Sequence, residues 1–290
     1  MTQWKIVLIL FSALLISACS STKGPAPGSP EWLWAAARDS FAAGDFEKAA
    51  DHLEKIERAG NNPYLQRARA WRLVLAAGMA SAYLELAQAY ADGWSQARAN
   101  RTAFLRQRTE YFRQARRHAI RMLEAYGNFV KDSADKPVVL EFPFPKGSAG
   151  QVVELDRVYK GMTIADELRA TAQEKMLNRG LVRSVSMVLT TEEDAAGAQN
   201  VLKSGRAEAP PAKFLLAMGS ALFKLATIFD RKNLDEIDAL KMFHERSQDA
   251  VKRVLELKPE AATEKAAKKL RADVEKAAKA ATSKIRIAAR

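Results

Sequence analysis

Chemistry in this chain would have to come from few side chains. The three histidines, His52, His118 and His244, stand far apart, and the single cysteine, Cys19, lies near the N-terminus. A zinc site needs ligands at short fixed spacings, such as His-Glu-x-x-His or paired Cys-x-x-Cys, and no such spacing occurs. Met242-Phe243-His244-Glu245 comes nearest to a polar constellation, and a helix-flank position accounts for His244. No Gly-x-Ser-x-Gly elbow is present to expose a serine nucleophile. Lys146-Gly147-Ser148-Ala149-Gly150 lacks the Gly-Lys-Ser/Thr ending of a phosphate loop and reads as a hairpin tip. Glu192-Glu193-Asp194 falls where a helix starts, and a helix dipole favours acidic residues there. Trp32, Trp34, Trp71 and Trp94 fit burial between helix layers better than the lining of a ligand cavity. The sequence predicts a protein that is not an enzyme, with no metal and no cofactor.

Binding chemistry is better represented. Arg106, Arg113, Arg117 and Arg121 fall along one side of a long amphipathic stretch, opposite Phe104, Tyr111, Ala115, Met122, Tyr126 and Phe129. Guanidinium forks match phosphates and carboxylates, so this stripe is a candidate basic interaction face. A solvated helix face is the plainer expectation for such a charge run.

Cys19 follows an apolar run, Ile6 to Ile16, with Lys5 ahead of it. A helix of roughly eleven residues rises about 16 Å, too short for a hydrocarbon core of about 30 Å, so the run reads as the apolar region of a secretory signal. Ile16-Ser17-Ala18-Cys19 resembles the lipobox of bacterial lipoproteins: an apolar residue, two small ones, then cysteine. That resemblance implies cleavage before Cys19, lipidation of its thiol and acylation of the new amino terminus, so that several acyl chains hold the protein in a membrane. Ser20 stands where Asp would direct retention in the inner membrane, and the sorting pattern points to the outer membrane, facing the periplasm. Residues 1–18 are then the signal peptide. Residues 19–30, the lipidated cysteine with the Ser/Gly/Pro-rich SSTKGPAPGSP, form a flexible tether. With Cys19 acylated no thiol remains for a disulfide, and packing alone must stabilise the body.

The chain has 290 residues, 48% of them hydrophobic, and a formal charge of +12. That charge suits an anionic neighbour, a lipid surface or an acidic protein. An exported, tethered protein is a poor candidate for binding nucleic acid.

Abundant alanine and helical periodicity predict an all-α body. Leu33, Ala36, Ala37 and Phe41 share a face, Gly44-Asp45 breaks the pattern, and Phe46, Ala49, Ala50, Leu53 and Ile56 resume it. This hairpin resembles a tetratricopeptide repeat (TPR) through Ala37, the Gly44-Asp45-Phe46 turn, Ala49, Leu53 and the following Pro63. The resemblance implies a solenoid of antiparallel helix hairpins whose concave face binds proteins. It places TPR-like helices over 31–136, with Gly78 dividing two segments and Asp92-Gly93 ending the second. The runs Val138–Phe142 and Val152–Leu155 predict a β-hairpin or extended insertion over 137–162. Helix resumes at Thr163, with Thr163 and Asp166 at capping spacing, while Leu181–Leu189 fits helix or strand. A degenerate TPR-like hairpin from Ala212 to Pro259 closes a second helical part, 163–259. A basic Ala/Lys-rich helix over 260–290 would cap the stack or touch an anionic surface; its apolar line is Ala266, Leu270, Val274 and Ala277 or Ala281.

The expected function is a membrane-anchored, non-catalytic interaction scaffold in the bacterial cell envelope, with an envelope protein as partner. The TPR lipoproteins of outer-membrane β-barrel assembly are similar in lipobox and first hairpin. Two alternatives stand beside it. One is a periplasmic carrier of a small molecule or lipid, since the lipoprotein T component of TPR-associated TRAP transporters is loosely similar around Glu110–Tyr126. The other is a structural protein binding anionic envelope surfaces.

Overall fold

Ser29 opens the first helix. Its hydroxyl accepts the Trp32 N–H at 3.2 Å, and Pro30 occupies the first helical position, where a missing N–H costs nothing. The computed structural model describes residues 24–132, 135–191 and 194–288. The signal peptide and lipobox, Cys19 included, lie outside them, as do Glu192 and Glu193. Helix α1 spans Pro30–Ala42 and ends in a Schellman turn: Asp45 N–H reaches Ser40 O at 2.9 Å, Gly44 N–H reaches Phe41 O, and Gly44 takes φ +85°. Asp45 then caps α2, Phe46–Arg58, through the Lys48 N–H. Ala37, Ala49, Leu53 and Ile56 are fully buried at the hairpin's inner face, with Phe46 beside them.

Helix α3, Leu65–Gln96, runs 32 residues without a break, through both Gly78 and Gly93. Expectation and structure differ here for a physical reason. A helix buried all round shows no amphipathic period, and from Ala70 to Ala77 every residue of α3 is buried. Gly78 is not a divider but the point where another helix comes close. Helix α4, Arg101–Asp132, returns antiparallel, with the apolar side expected for it: Phe104, Tyr111, Ala115, Met122, Tyr126 and Phe129 are all buried. Arg69 near the start of α3 pairs with Asp132 at the end of α4, while Tyr90 meets Phe104 at the other end.

The expected β-hairpin over 137–162 does not form. Strand β1, Val138–Leu140, pairs antiparallel with β2, Ala207–Ala209, in the register Val138↔Ala209 and Leu140↔Ala207. The second expected strand is instead a 3₁₀ turn, Val153–Leu155, running into the short α5, Asp156–Tyr159. Burial explains the choice: Val138 and Leu140 bury alternate positions, whereas Val152, Leu155 and Val158 bury every third. The stretch between remains irregular, and Phe142 reaches from it to stack on Trp71 at 5.1 Å.

Helix α6, Asp166–Leu189, is a single helix, so Leu181–Leu189 is helical. Ala165 occupies its N-cap and makes no side-chain cap bond; the expected Thr163 cap is not used. Helix α7, Ala195–Val201, is capped by Asp194. Helix α8, Pro211–Leu225, and a 3₁₀ turn, Ala226–Phe229, form a hairpin with α9, Ile237–Glu256. The stretch Pro211–Phe229 is long and apolar enough to cross a membrane by composition, yet most of it is buried inside the fold. Helix α10, Ala261–Ala288, lies on α8 and α9 through Thr263, Ala267 and Val274; Ala267, not the expected Ala266, faces inward.

The body is mostly helical, with ten α-helices and one two-stranded sheet among the described residues. In a stack of hairpins each unit touches only its neighbours. Here α3 is touched by α2, α4, α5, α6, α8 and β1, so the chain wraps around one central helix. Glycine makes the closest crossing possible: Gly78 on α3 faces Gly180 on α6, and Ser184 Oγ donates to Val74 O at 2.9 Å one turn away. At the α8–α9 crossing Gly219 plays the same part, its carbonyl accepting from Ser247 Oγ at 2.8 Å.

Candidate functional site

The arginine stripe is divided between two tasks. Arg117 and Arg121 reach across the surface from α4 to one carboxylate, Glu47, in the first turn of α2. Arg121 reaches Glu47 Oε2 at 2.6 Å and lies 3.8 Å from Asp51. His118, fully buried, places Nε2 2.9 Å from Glu47 Oε1 and stacks flat on Tyr83 of α3, rings 5.4 Å apart. Tyr111 and Tyr90 continue the aromatic row behind Tyr83. Glu47 was not singled out by its sequence; only the fold brings residues 47, 83 and 118 together.

Glu47 is the acid of this cluster, and its surroundings favour its charged form. Burial alone would raise its pKa, but contact with His118, together with the charge of Arg117 and the hydrogen bond from Arg121, outweighs burial and lowers it from 4.5 to about 2. A carboxylate held this tightly is an ion-pair anchor rather than a proton donor near neutrality. Because the folded value is depressed, its stabilisation is full above pH 4.5 and is lost as the pH falls toward 2. The Glu47 side chain is 39% exposed, and solvent screening holds the contribution to about 1 kcal/mol. Glu47→Gln should therefore lower the urea midpoint at pH 7, and the gap from the unchanged protein should close near pH 2. A gap of equal size at both pH values would show that Glu47 acts through packing.

Arg106 and Arg113 remain at the surface. Arg113 pairs with Glu110 at 2.7 Å, one turn away and also exposed. Together with Thr102, Leu105 and Gln107 they line an open groove of about 530 Å³ on the first turns of α4. Leu105 is 41% exposed there, so the groove pairs an apolar patch with guanidinium groups. Arg101 adds to this end of the helix by lying over the Trp94 ring at 4.2 Å.

The tryptophans weighed as cavity lining are distributed otherwise. Trp34 and Trp71 are buried and pack edge to face at 5.3 Å, while Trp32 is partly exposed beside His52. His52 and His244 are also buried, and burial, the main cause, lowers both pKa values. No group of three or more metal-binding side chains occurs among the described residues. The residues of the expected TPR-like packing come together in the α1–α2 hairpin: Ala37, Ala49 and Leu53 inside, Gly44 and Asp45 at the turn, and Phe46 against Phe41 at 5.2 Å. No family model, curated protein or solved structure matches this chain.

Proposed function

We propose that this chain is a lipid-anchored, non-catalytic interaction scaffold on the periplasmic face of a bacterial outer membrane. The address rests on Ile16-Ser17-Ala18-Cys19 after its apolar run, and on the tether that ends where Ser29 caps α1. The mode of action rests on one observation: the groove at the start of α4 is open and carries exposed side chains, while the core beneath α4 is closely filled. Phe129 of α4 packs on Phe214 of α8 at 4.8 Å, Trp71 of α3 is enclosed by Trp34, Phe41 and Phe142, and Tyr126 of α4 donates to Asp249 of α9; Trp71, Tyr126, Phe129 and Phe214 are each 0–1% exposed. A filled core beneath α3 and α4 supports binding at the surface of this part of the fold. The α1–α2 hairpin is the TPR-like unit of this reading, and the groove, with Arg106 and Arg113 around Leu105, favours a partner that offers carboxylates beside apolar side chains.

Two experiments test this reading. Cys19→Ala should move the protein from the membrane fraction to the soluble periplasm; a variant that stays in the membrane after a high-salt wash would mean that lipid is not the main anchor. Crosslinking of the tagged protein in cells, followed by mass spectrometry, should recover a stoichiometric envelope protein, and Arg106→Glu with Arg113→Glu should diminish its recovery. Unchanged recovery from that double variant would remove the groove from the interface.

A further inference from the structure

Where α8, its 3₁₀ extension and α9 meet the outer half of α10, the helices part over a half-open cavity of about 700 Å³. That volume lies within the range of about 300–1,000 Å³ typical of small-molecule sites. Its walls are apolar: Phe223, Ile237, Leu240, Ala277 and Ala281. Its charged lining residues are Lys224, Arg231 and Lys232 against the single acid Asp230. Asp230 is occupied with its own turn, since its Oδ1 accepts the backbone N–H groups of Lys232 at 3.0 Å and Asn233 at 3.1 Å. Among the described residues Arg231 makes a loose pair with Asp235, at 3.8 Å and with both side chains exposed, and Lys232 is exposed. His244, nine-tenths buried, forms part of the wall beside Phe223.

We infer that this cavity binds a single-chain anionic amphiphile, with the acyl chain between α8, α9 and α10 and the acidic head at Arg231 and Lys232. The apolar wall removes hydrocarbon from water, and the cationic rim gives a carboxylate or phosphate charge-assisted partners that a neutral head would lack. The small side chains of Ala277 and Ala281 matter as much as the charges, because they leave the space between α10 and the α8–α9 hairpin unfilled at this end. Further along, Ala267 and Val274 close the same helix down. The site is separate from the Glu47 cluster and from the groove on α4, and it stands whether or not Cys19 carries lipid.

The test is photolabelling of the full-length protein in its own membranes with a diazirine-bearing fatty acid, alongside its methyl ester. Label from the acid should concentrate in peptides covering Phe223–His244 and Ala277–Ala281. Ala277→Phe, which fills the wall, should reduce that label about tenfold. Arg231→Glu with Lys232→Glu should reduce acid labelling but leave ester labelling in place, and these exposed positions keep the test independent of any folding defect in Ala277→Phe. Competition by unlabelled fatty acid identifies a free acid as the ligand, and competition by a lysophospholipid identifies a membrane lipid. Label spread evenly over the chain, equal loss of acid and ester label in the charge-reversed variant, or competition by neither compound would overturn the assignment.

Discussion

Gly180→Ala is expected to destabilise the fold by about 2 kcal/mol, although alanine is the better helix former by about 1 kcal/mol. A methyl group at Gly180 would run into the carbonyl oxygen of Gly78 and lie 2.8 Å from Ala82 Cβ. The first of these is backbone inside a buried helix and cannot turn aside, so α3 and α6 must separate, disturbing Ser184–Val74 and Arg183–Glu85 on the same seam. Gly127→Ala supplies the matched control. Gly127 also lies within a long helix, α4, but has open space around its Cβ position, so its alanine variant should be more stable by up to about 1 kcal/mol. Urea unfolding of both variants checks the pair. If both glycines respond in the same direction, the close approach of α3 and α6 is not what Gly180 provides.

Glu57→Ala should cost about 3–5 kcal/mol, a loss comparable to truncating a buried aromatic side chain. Arg72 is 6% exposed within α3, and its charge is met by Glu57 at 3.0 Å and Glu54 at 3.6 Å. Glu57 is equally enclosed, its side chain 7% exposed, with Asn128 of α4 donating at 3.3 Å. Removing the carboxylate leaves a guanidinium in a place where water cannot replace the lost partner. Replacing both members, Arg72→Met with Glu57→Met, should recover most of the loss, because the desolvation cost disappears along with the attraction. A double-mutant cycle by urea unfolding gives the coupling directly. Additive losses would mean that Arg72 finds enough compensation in Glu54 alone.

The parts of this fold that were legible in the sequence are those decided locally. The Gly44-Asp45 turn and its flanking alanines mark the first hairpin, and the apolar side of α4 follows from its 3.6-residue period. Where burial is complete the period vanishes, and Gly78 then looks the same whether it ends a helix or admits a neighbour. The sheet was misplaced for a different reason: Val138–Leu140 carries the alternation of a strand, but nothing local says that its partner stands at Ala207–Ala209. The same holds for the arginine stripe. Spacing puts Arg106, Arg113, Arg117 and Arg121 on one side of a helix, yet Glu47, far off in the chain, draws Arg117 and Arg121 into an anchor and leaves Arg106 and Arg113 to the groove. The cavity under α10 needed the fold as well, since the alanines of that helix read alike whether they touch α8 or stand away from it.

The central claim, that this helical body is held to a membrane by lipid on Cys19, is tested most directly by mass spectrometry of the amino-terminal peptide of the protein isolated from cells. The expected peptide begins at Cys19 and carries the mass of a diacylglyceryl thioether with an acylated amine. A peptide that continues upstream of Cys19, or a Cys19 thiol free to react with iodoacetamide, would contradict it.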